Sequence, residues 1–272
     1  MLDSLQQICL RHGEEVSYYK QLFQTIETII NLIDNDDMPF YLRFVEDVFP
    51  YMEKYHYVQG MELVLKHLAE LLKDAAVGTV SDRALLMDYR ASSEKKTDKV
   101  IKLAKDAVTM FTEITSDNAL LVANLHANLG GMYRQSGKHE LAKQHMEQGI
   151  QLLEQFGLVS YHDSIPQITN YAVLLTELGQ PDKGISILEK LSRAIYKYNS
   201  DECLDYAYIQ EAMGNICLTI GEVQQATTHF QKAMAIYEVV YEVEPEIIEE
   251  KKQEFLEMYG EAGLYLGQKL FK

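Results

Sequence analysis

The sequence predicts an all-α protein, an α-α superhelix in which antiparallel helical hairpins stack into a solenoid. Three observations lead to this fold class: equally spaced glycines, small and large residues at fixed distances from them, and a composition that permits long helices. Each hairpin of such a stack is covered by its neighbours. We therefore expect one continuous domain over residues 1–272.

The glycine spacing is the first observation. Gly137, Gly179, Gly221 and Gly263 are each separated by 42 residues. A glycine that follows a helix often takes the left-handed conformation that ends it, so we predict a tight turn inside a hairpin at each position. The spacing divides the chain into degenerate helices over 1–80, repeats over 81–244 and a capping helix over 245–272.

Residues of fixed size accompany the first three turn glycines. The small ones are Gly130, Ala172 and Gly214 before the turns and Ala142, Gly184 and Ala226 after them, and the large ones are Met146, Leu188 and Phe230. Two antiparallel helices approach closely where one presents a small residue to a bulky one on the other. The pattern therefore predicts the contact between the two helices of each hairpin.

This pattern resembles the tetratricopeptide repeat family. The best copy runs from Leu129-Gly130 through Tyr133 to Ala142 and Met146, although the family's first-helix Trp and closing Pro are absent. The period exceeds the usual ~34 residues and resembles the kinesin-light-chain kind of repeat. HEAT-like repeats share the longer period, but the small and large residues around the turn favour the tetratricopeptide interpretation.

The composition also favours helices: only 5 of the 272 residues are proline and 47% are hydrophobic. Four prolines are predicted to open helices, where the missing N–H is harmless, namely Pro39, Pro166, Pro181 and Pro245. Asp163-Ser164 is predicted to cap the helix that Pro166 opens. Pro50 is predicted to kink or break its helix.

The first half of the chain shows the repeat only weakly. We predict one hairpin at Pro39–Lys73, with its turn at Tyr55–Gln59, and a flexible joint at Ala75–Asp82. A run of aromatic residues follows Pro39, and its helical spacing predicts core, with a ligand groove as the alternative. These residues are Phe40, Tyr41, Phe44, Phe49, Tyr51, Tyr55 and Tyr57.

Charge and motifs exclude several function classes. A formal net charge of −16 argues against binding to nucleic acids or anionic membranes, which need clusters of Lys and Arg. No apolar run approaches the ~20 residues of a membrane span, and the N-terminus lacks the pattern of a secretory signal, so a cytoplasmic location is expected. No phosphate-binding loop, nucleophile motif or metal-binding pair of histidines occurs, and His139 and His145 fall on opposite helix faces. We expect no enzymatic activity, no cofactor and no metal.

The family resemblance implies that the first helices of successive hairpins line a concave groove for a protein or peptide. Counted from the turn glycines, the groove positions are Asn124, Asn128 and Arg134, then Asn170 and Glu177, then Tyr208, Glu211 and Asn215. Asparagine amides both donate and accept, so they can hold a peptide backbone. The alternative is that asparagine merely tolerates an exposed helix face.

The expected partner follows from the charges of these positions. Arg134 is nearly the only cation, so the resemblance does not extend to members that bind a chaperone's C-terminal carboxylate. Glu177 and Glu211 favour a neutral or basic segment. The acidic stretch from Glu238 to Glu261 is interpreted as a solvated face, with a docking strip for a basic partner as the alternative.

The sequence therefore predicts a non-enzymatic scaffold or adaptor. A second hypothesis is a peptide-sensing regulator similar to bacterial tetratricopeptide regulators, some of which act on a response regulator. Their N-terminal helical module would correspond to Leu2–Asp34, with Gln21 or Gln24 as candidates. A homodimer through the N-terminal aromatic residues is a further alternative.

Overall fold

A computed structural model of the chain describes residues 25, 30, 38–54, 58–74, 78–94, 97–199, 203–242 and 245–261. Within these residues the regular structure is helical, and no strand occurs. The helices are α1 Met38–Lys54, α2 Val58–Leu71, α3 Val80–Ser93, α4 Thr97–Thr109, α5 Ala119–Gln135, α6 His139–Gln155, α7 Ile165–Glu177, α8 Pro181–Asn199, α9 Leu204–Thr219, α10 Val223–Val240 and α11 Pro245–Glu261. The predicted all-α fold class is confirmed.

The chain forms two compact units, residues 1–114 and 115–272. We call them the N-terminal unit and the C-terminal unit and describe each by itself. A single continuous domain over the whole chain stays a prediction, as does the division at residues 80 and 244.

Large side chains fill the core of the N-terminal unit. Tyr41, Phe44 and Phe49 of α1 are almost fully buried, and they pack with apolar residues of α2 such as Leu68. The Tyr41 hydroxyl donates a hydrogen bond to the backbone carbonyl oxygen of Val64 at 3.1 Å. These three aromatic residues therefore belong to the core, and they are not exposed for the dimer interface that the sequence left as an alternative.

Two predictions about the N-terminal unit have different outcomes. A hairpin forms where Pro39–Lys73 predicts it, because α1 ends at Lys54 and α2 begins at Val58 and packs on it. However, α1 continues through Pro50, so the predicted break is wrong. Loss of one backbone hydrogen bond at a proline is outweighed here by the buried apolar face of α1 on both sides of it.

A capping box starts α3. The Thr79 side chain accepts a hydrogen bond from the backbone N–H of Asp82, and the Asp82 carboxylate accepts one from the N–H of Thr79 at 2.6 Å. Both satisfy backbone donors at the helix start. Part of the joint predicted at Ala75–Asp82 is therefore the first turn of a helix, while residues 75–77 lie outside the described ranges.

In its described residues the C-terminal unit contains three hairpins, formed by α5 with α6, α7 with α8 and α9 with α10. Gly137, Gly179 and Gly221 follow the first helix of each and have φ angles of 73°, 73° and 85°. Only glycine adopts this region readily, so the predicted left-handed turns are confirmed at these positions. Gly263 lies outside the described residues.

The small residues allow the helices of each hairpin to touch. A Cβ atom on Gly214 would lie 2.6 Å from the Phe230 ring, and one on Gly184 would lie 2.6 Å from the carbonyl oxygen of Ala172. The predicted pairing of small and large residues across the hairpins therefore holds for Gly130 with Met146 and for Gly214 with Phe230, while Gly184 instead meets the backbone of α7.

The helix starts marked by proline agree with the sequence, but one cap does not. Pro166 lies in the first turn of α7, Pro181 and Pro245 begin α8 and α11, and Pro39 is the second residue of α1. The Ser164 side chain makes no capping bond and instead donates to the carbonyl oxygen of Leu158 at 2.8 Å. A short 3-10 helix at His162–Ser164 turns this hydroxyl toward the preceding loop.

Helix α11 packs on the last hairpin. Phe255 stacks on Phe230 with ring centroids 4.5 Å apart, and Tyr259 is fully buried beside the same ring. This contact covers part of the apolar face of α10, as expected of a capping helix, although residues 262–272 of that predicted segment lie outside the described residues. None of the described helices combines the length and apolar character needed to cross a bilayer.

Candidate functional site

The first helices of the three hairpins, α5, α7 and α9, lie side by side, with α7 in contact with both others. We call the surface that carries the eight predicted groove residues the first-helix face. All eight side chains on it are exposed or half-buried rather than part of the core. The register counted from the turn glycines therefore assigns them to an accessible surface.

Among the described residues, cavities open on this face at two places. The first, the Arg134 cavity, has a volume of about 590 Å³ and is lined by Gly131, Arg134, Gln135, His139, Met146, Asn170 and Glu177. The second, the Tyr208 cavity, has about 390 Å³ and is lined by His162, Pro166, Thr169, Asn170, Val173, Tyr208, Glu211, Ala212 and Asn215. Asn170 lines both, so the two cavities adjoin at its side chain.

Six of the eight predicted residues line these cavities, and two do not. Asn128 is exposed on α5 but lines neither cavity. Asn124 accepts a short hydrogen bond from the side-chain amide of Gln167 on α7, which is itself buried. The structure thus separates Asn124 and Asn128 from the residues that surround the open volume.

An ion pair closes one side of the Arg134 cavity. The Arg134 guanidinium donates to both carboxylate oxygens of Glu177, with its Nε at 2.9 Å from Oε2 and 3.1 Å from Oε1. The His139 Nδ1 atom lies 3.9 Å from the same carboxylate. Such two-point pairing fixes both side chains and neutralises the charge of Glu177 within the site.

Glu211 in the Tyr208 cavity has internal partners too. Its Oε2 accepts a hydrogen bond from the buried Tyr237 hydroxyl at 2.8 Å and lies 3.5 Å from the Lys251 Nζ of α11. Burial alone lowers the pKa of Lys251, but the carboxylates of Glu211 and Glu254 outweigh it and raise that pKa above its usual value. Lys251 therefore stays charged beside Glu211.

Burial raises the pKa of the Tyr237 hydroxyl, and the neighbouring carboxylate of Glu211 raises this pKa further. The phenol consequently remains a donor, which holds the Glu211 side chain in a fixed position at the edge of the cavity.

Polar pairs 43 residues apart connect successive hairpins, a feature that sequence reasoning missed. Gln167 bonds Asn124, Glu177 bonds Arg134, and the His162 ring contacts the buried Asp205 carboxylate at short range. The signal was present as complementary residues one position beyond the glycine period.

These pairs determine the charge character of the face. Both carboxylates predicted to attract a basic partner already contact a cation, Arg134 for Glu177 and Lys251 for Glu211. The remaining polar groups in the two cavities include the amides of Asn170 and Asn215 and the hydroxyl of Tyr208. Within the described ranges, no cluster of three or more His, Cys, Asp or Glu side chains is arranged to hold a metal ion.

Sequence comparisons identify the repeats. Two family models described as tetratricopeptide repeat match the chain, one over residues 164–238 and another over residues 123–154. No curated protein matches the sequence significantly.

Solved structures with a similar fold share little sequence. BtubC (BKLC) from P. vanneervenii is 15% identical, with a TM-score of 0.59 over 76% of this chain and 84% of that one. A putative kinesin light chain with nearly identical TPR-like repeats from Podosopora anserina is 15% identical, with a TM-score of 0.57 over 74% of this chain and 98% of that one.

A third structure, a Rap protein complexed with competence and sporulation factor, is 15% identical, with a TM-score of 0.52 over 96% of this chain and 76% of that one. At this level of identity the likeness concerns the fold alone. The two family models show tetratricopeptide repeats in residues 123–154 and 164–238, and the solved structures show the same helical-solenoid fold.

Proposed function

We propose that the first-helix face binds an extended peptide segment of a partner protein and that the chain is a non-enzymatic, cytoplasmic scaffold. The observation that carries this proposal is the junction of the Arg134 and Tyr208 cavities at Asn170. A single side chain shared by two adjoining cavities suits a ligand that runs through both. An extended backbone has this shape.

The polar groups of the face support a peptide as the ligand. The amides of Asn170 and Asn215 each offer a donor and an acceptor, which matches the N–H and C=O groups of a peptide unit. The half-buried Tyr208, which lines the same cavity as both amides, adds apolar contact area with a polar tip.

The internal ion pairs refine the expected partner. The sequence favoured a neutral or basic segment, and we propose a predominantly uncharged one. A basic side chain would have to displace Arg134 from Glu177 or Lys251 from Glu211 to form its own ion pair. That exchange replaces one ion pair by another, so it adds little free energy of binding.

The test is a fluorescence-anisotropy screen of labelled 12-residue peptides that differ in charge, followed by variants of the face. Asn170→Ala combined with Asn215→Ala should weaken the tightest peptide by about a hundredfold, since each lost pair of hydrogen bonds is worth roughly tenfold. Gln224→Ala, which removes an exposed amide from α10, serves as the matched control and should leave the affinity unchanged.

Asn128→Ala gives a sharper version of the same test. The sequence register assigns Asn128 to the groove, whereas the geometry leaves it outside both cavities. We expect no loss of affinity for Asn128→Ala. Unchanged affinity in the double variant of Asn170 and Asn215 contradicts binding on this face.

A second candidate function is a peptide-sensing regulator that acts on a response regulator. It is supported by the fold match to the Rap protein complexed with competence and sporulation factor, which extends over 96% of this chain. The module at Leu2–Asp34, including Gln21 and Gln24, lies almost entirely outside the described residues. A panel of phosphorylated response regulators tests it, and unchanged rates of dephosphorylation with the protein present exclude the enzymatic version.

A further inference from the structure

A third cavity of the C-terminal unit lies away from the first-helix face. It has a volume of about 420 Å³ and opens between the second helices α6 and α8, with part of α7 as its floor. Its apolar lining consists of Ile150, Val159, Ile168, Ile187, Leu191 and Ala194. We call it the Ile168 cavity; it shares no lining residue with the Arg134 and Tyr208 cavities.

The hairpins on either side have polar residues at the positions of Ile168 and Ile187. In the preceding hairpin, 42 residues earlier, His126 and His145 replace Ile168 and Ile187, and their Nδ1 atoms lie 3.1 Å apart. The next hairpin has a different polar pair 42 residues later, as described below. The apolar pair of Ile168 and Ile187 is therefore specific to the middle hairpin rather than a general property of the repeat.

That later pair is Gln210 and His229, joined by a hydrogen bond of 2.8 Å between the Gln210 Oε1 and the His229 Nδ1. Ser192 likewise takes the place of Ile150. The same fold thus accommodates a polar, hydrogen-bonded pair at the positions of Ile168 and Ile187. The middle hairpin differs from both neighbours, because its apolar pair forms no hydrogen bond and leaves an open volume. The packing of the repeat does not require this difference.

The rim of the Ile168 cavity is acidic along α6. Glu147, Gln151 and Glu154 follow one helix face at intervals of four and three residues and all line the opening. The Tyr171 hydroxyl donates to Glu147 Oε1 at 2.7 Å, and the Lys143 Nζ of the same helix lies 3.9 Å from that oxygen. Glu147 is therefore held by internal partners, whereas Glu154 lies exposed at the opening. Lys190 is the cation among the lining residues, and it lies on the opposite edge, on α8.

We propose that the Ile168 cavity binds a small hydrophobic amine, with its apolar part against the isoleucines and its ammonium group beside Glu154. The volume lies within the range of roughly 300–1,000 Å³ that is usual for small-molecule sites, which are mostly apolar with a few polar groups that fix orientation. The formal charge of −16 further favours the approach of a cation and opposes that of an anion.

Three dansyl probes that share one fluorophore test the class of ligand. Dansylcadaverine carries an amine, dansylamide is neutral and dansylglycine carries a carboxylate. Transfer of the fluorophore to an apolar site shifts its emission to the blue, so titration gives the affinity of each. We expect dansylcadaverine to bind tightest and dansylglycine weakest.

Substitutions in the cavity lining test whether the probe binds in the Ile168 cavity. Ile168→Gln with Ile187→His installs the pair that the next hairpin already contains, so the fold should tolerate it, and dansylcadaverine affinity should fall at least about tenfold. Ala194→Leu fills the cavity without changing its polarity and should have the same effect. Val239→Gln, at an exposed position of α10, is the control and should change nothing.

Glu154→Gln separates charge from shape. It should weaken dansylcadaverine several-fold and leave dansylamide unchanged, because only the former carries the ammonium group. The proposal is overturned if the wild-type protein binds no probe saturably, if dansylglycine binds as tightly as dansylcadaverine, or if dansylcadaverine affinity is unchanged in both cavity variants while their circular dichroism is native.

Discussion

The hairpin of α1 and α2 and the hairpins of the C-terminal unit assemble their helices by different means. The first brings bulky side chains together, with Tyr41, Phe44 and Phe49 of α1 buried against α2. The C-terminal unit has glycine where two helices approach closely, as at Gly184 and Gly214. The first strategy requires only an apolar stripe, whereas the second requires a glycine or alanine at a fixed place. The difference explains why the 42-residue period is easy to recognise in the C-terminal half of the sequence and hard to recognise in the N-terminal half.

The largest expected effect concerns the N-terminal unit. Phe44→Ala should lower its free energy of unfolding by about 4 kcal/mol, because a nearly fully buried ring is replaced by a cavity. Tyr41→Phe should lower it by only about 1 kcal/mol, since it removes one hydrogen bond to Val64. Hydrogen exchange of peptides from α1 and α2 measures both, and equal losses would contradict a core built on large side chains.

The pH dependence of the C-terminal unit is the next largest effect. Burial, and secondly the charge of His145, lowers the pKa of His126 from 6.5 to about 4. The folded state favours the neutral ring, and the unfolded chain takes up a proton as the pH falls below 6.5. Stability should therefore decrease between pH 6.5 and pH 4, by about 3 kcal/mol at most.

A double substitution tests whether His126 causes the pH dependence of stability. His126→Ile with His145→Ile installs the residues of the middle hairpin and should flatten the stability of α5 and α6 over the same pH range. Urea unfolding at several pH values, followed by hydrogen exchange of peptides from these helices, gives the slope. An unaltered slope assigns the effect to other groups.

A matched pair of glycines tests the small-residue contacts. Gly184→Ala should cost about 2 kcal/mol, because the new methyl group meets the backbone oxygen of Ala172 and the helices have to separate. Gly131→Ala, on the first helix of the preceding hairpin, meets nothing within 4 Å and should stabilise by up to about 1 kcal/mol. The comparison between the units fails if both substitutions have the same sign.

The smallest effect belongs to the ion pair between hairpins. Glu177→Gln should lower stability by about 0.5 kcal/mol at low salt, since both side chains are about one-third exposed. Screening at about 1 M salt should reduce the difference between the variant and the wild-type protein. Thermal unfolding at two salt concentrations measures this, and a difference that grows with salt contradicts a Coulombic contribution.

Periodic backbone features were predictable from the sequence, and individual partners were not. Gly137 and Gly179 indicate turns because no other residue adopts their positive φ angles readily. This need for glycine does not depend on the neighbouring side chains. Ser164 has a capping sequence, yet its hydroxyl bonds Leu158, since a 3-10 turn moves it away from the helix start. Pro50 does not end α1 for a related reason, because burial of the apolar residues of α1 outweighs the unfavourable effect of proline inside a helix.

The candidate site shows the same division. The register assigned Asn170 and Asn215 to the accessible surface, and both line cavities. It assigned Asn124 to the same row, but Gln167 from the next hairpin uses that amide. A period specifies where along a helix a residue lies. It does not specify which neighbour reaches it first, because that depends on the tilt between helices and on the side-chain rotamers.

The Lys251 contact changes how a shorter version of the protein should be designed. Helix α11 looks dispensable as a terminal element, but it supplies the ammonium group beside Glu211 and the ring that stacks on Phe230. A chain cut before Pro245 would expose an aromatic surface at one end and an uncompensated carboxylate within the Tyr208 cavity. Trimming for crystallisation or peptide screening should therefore keep residues 245–261.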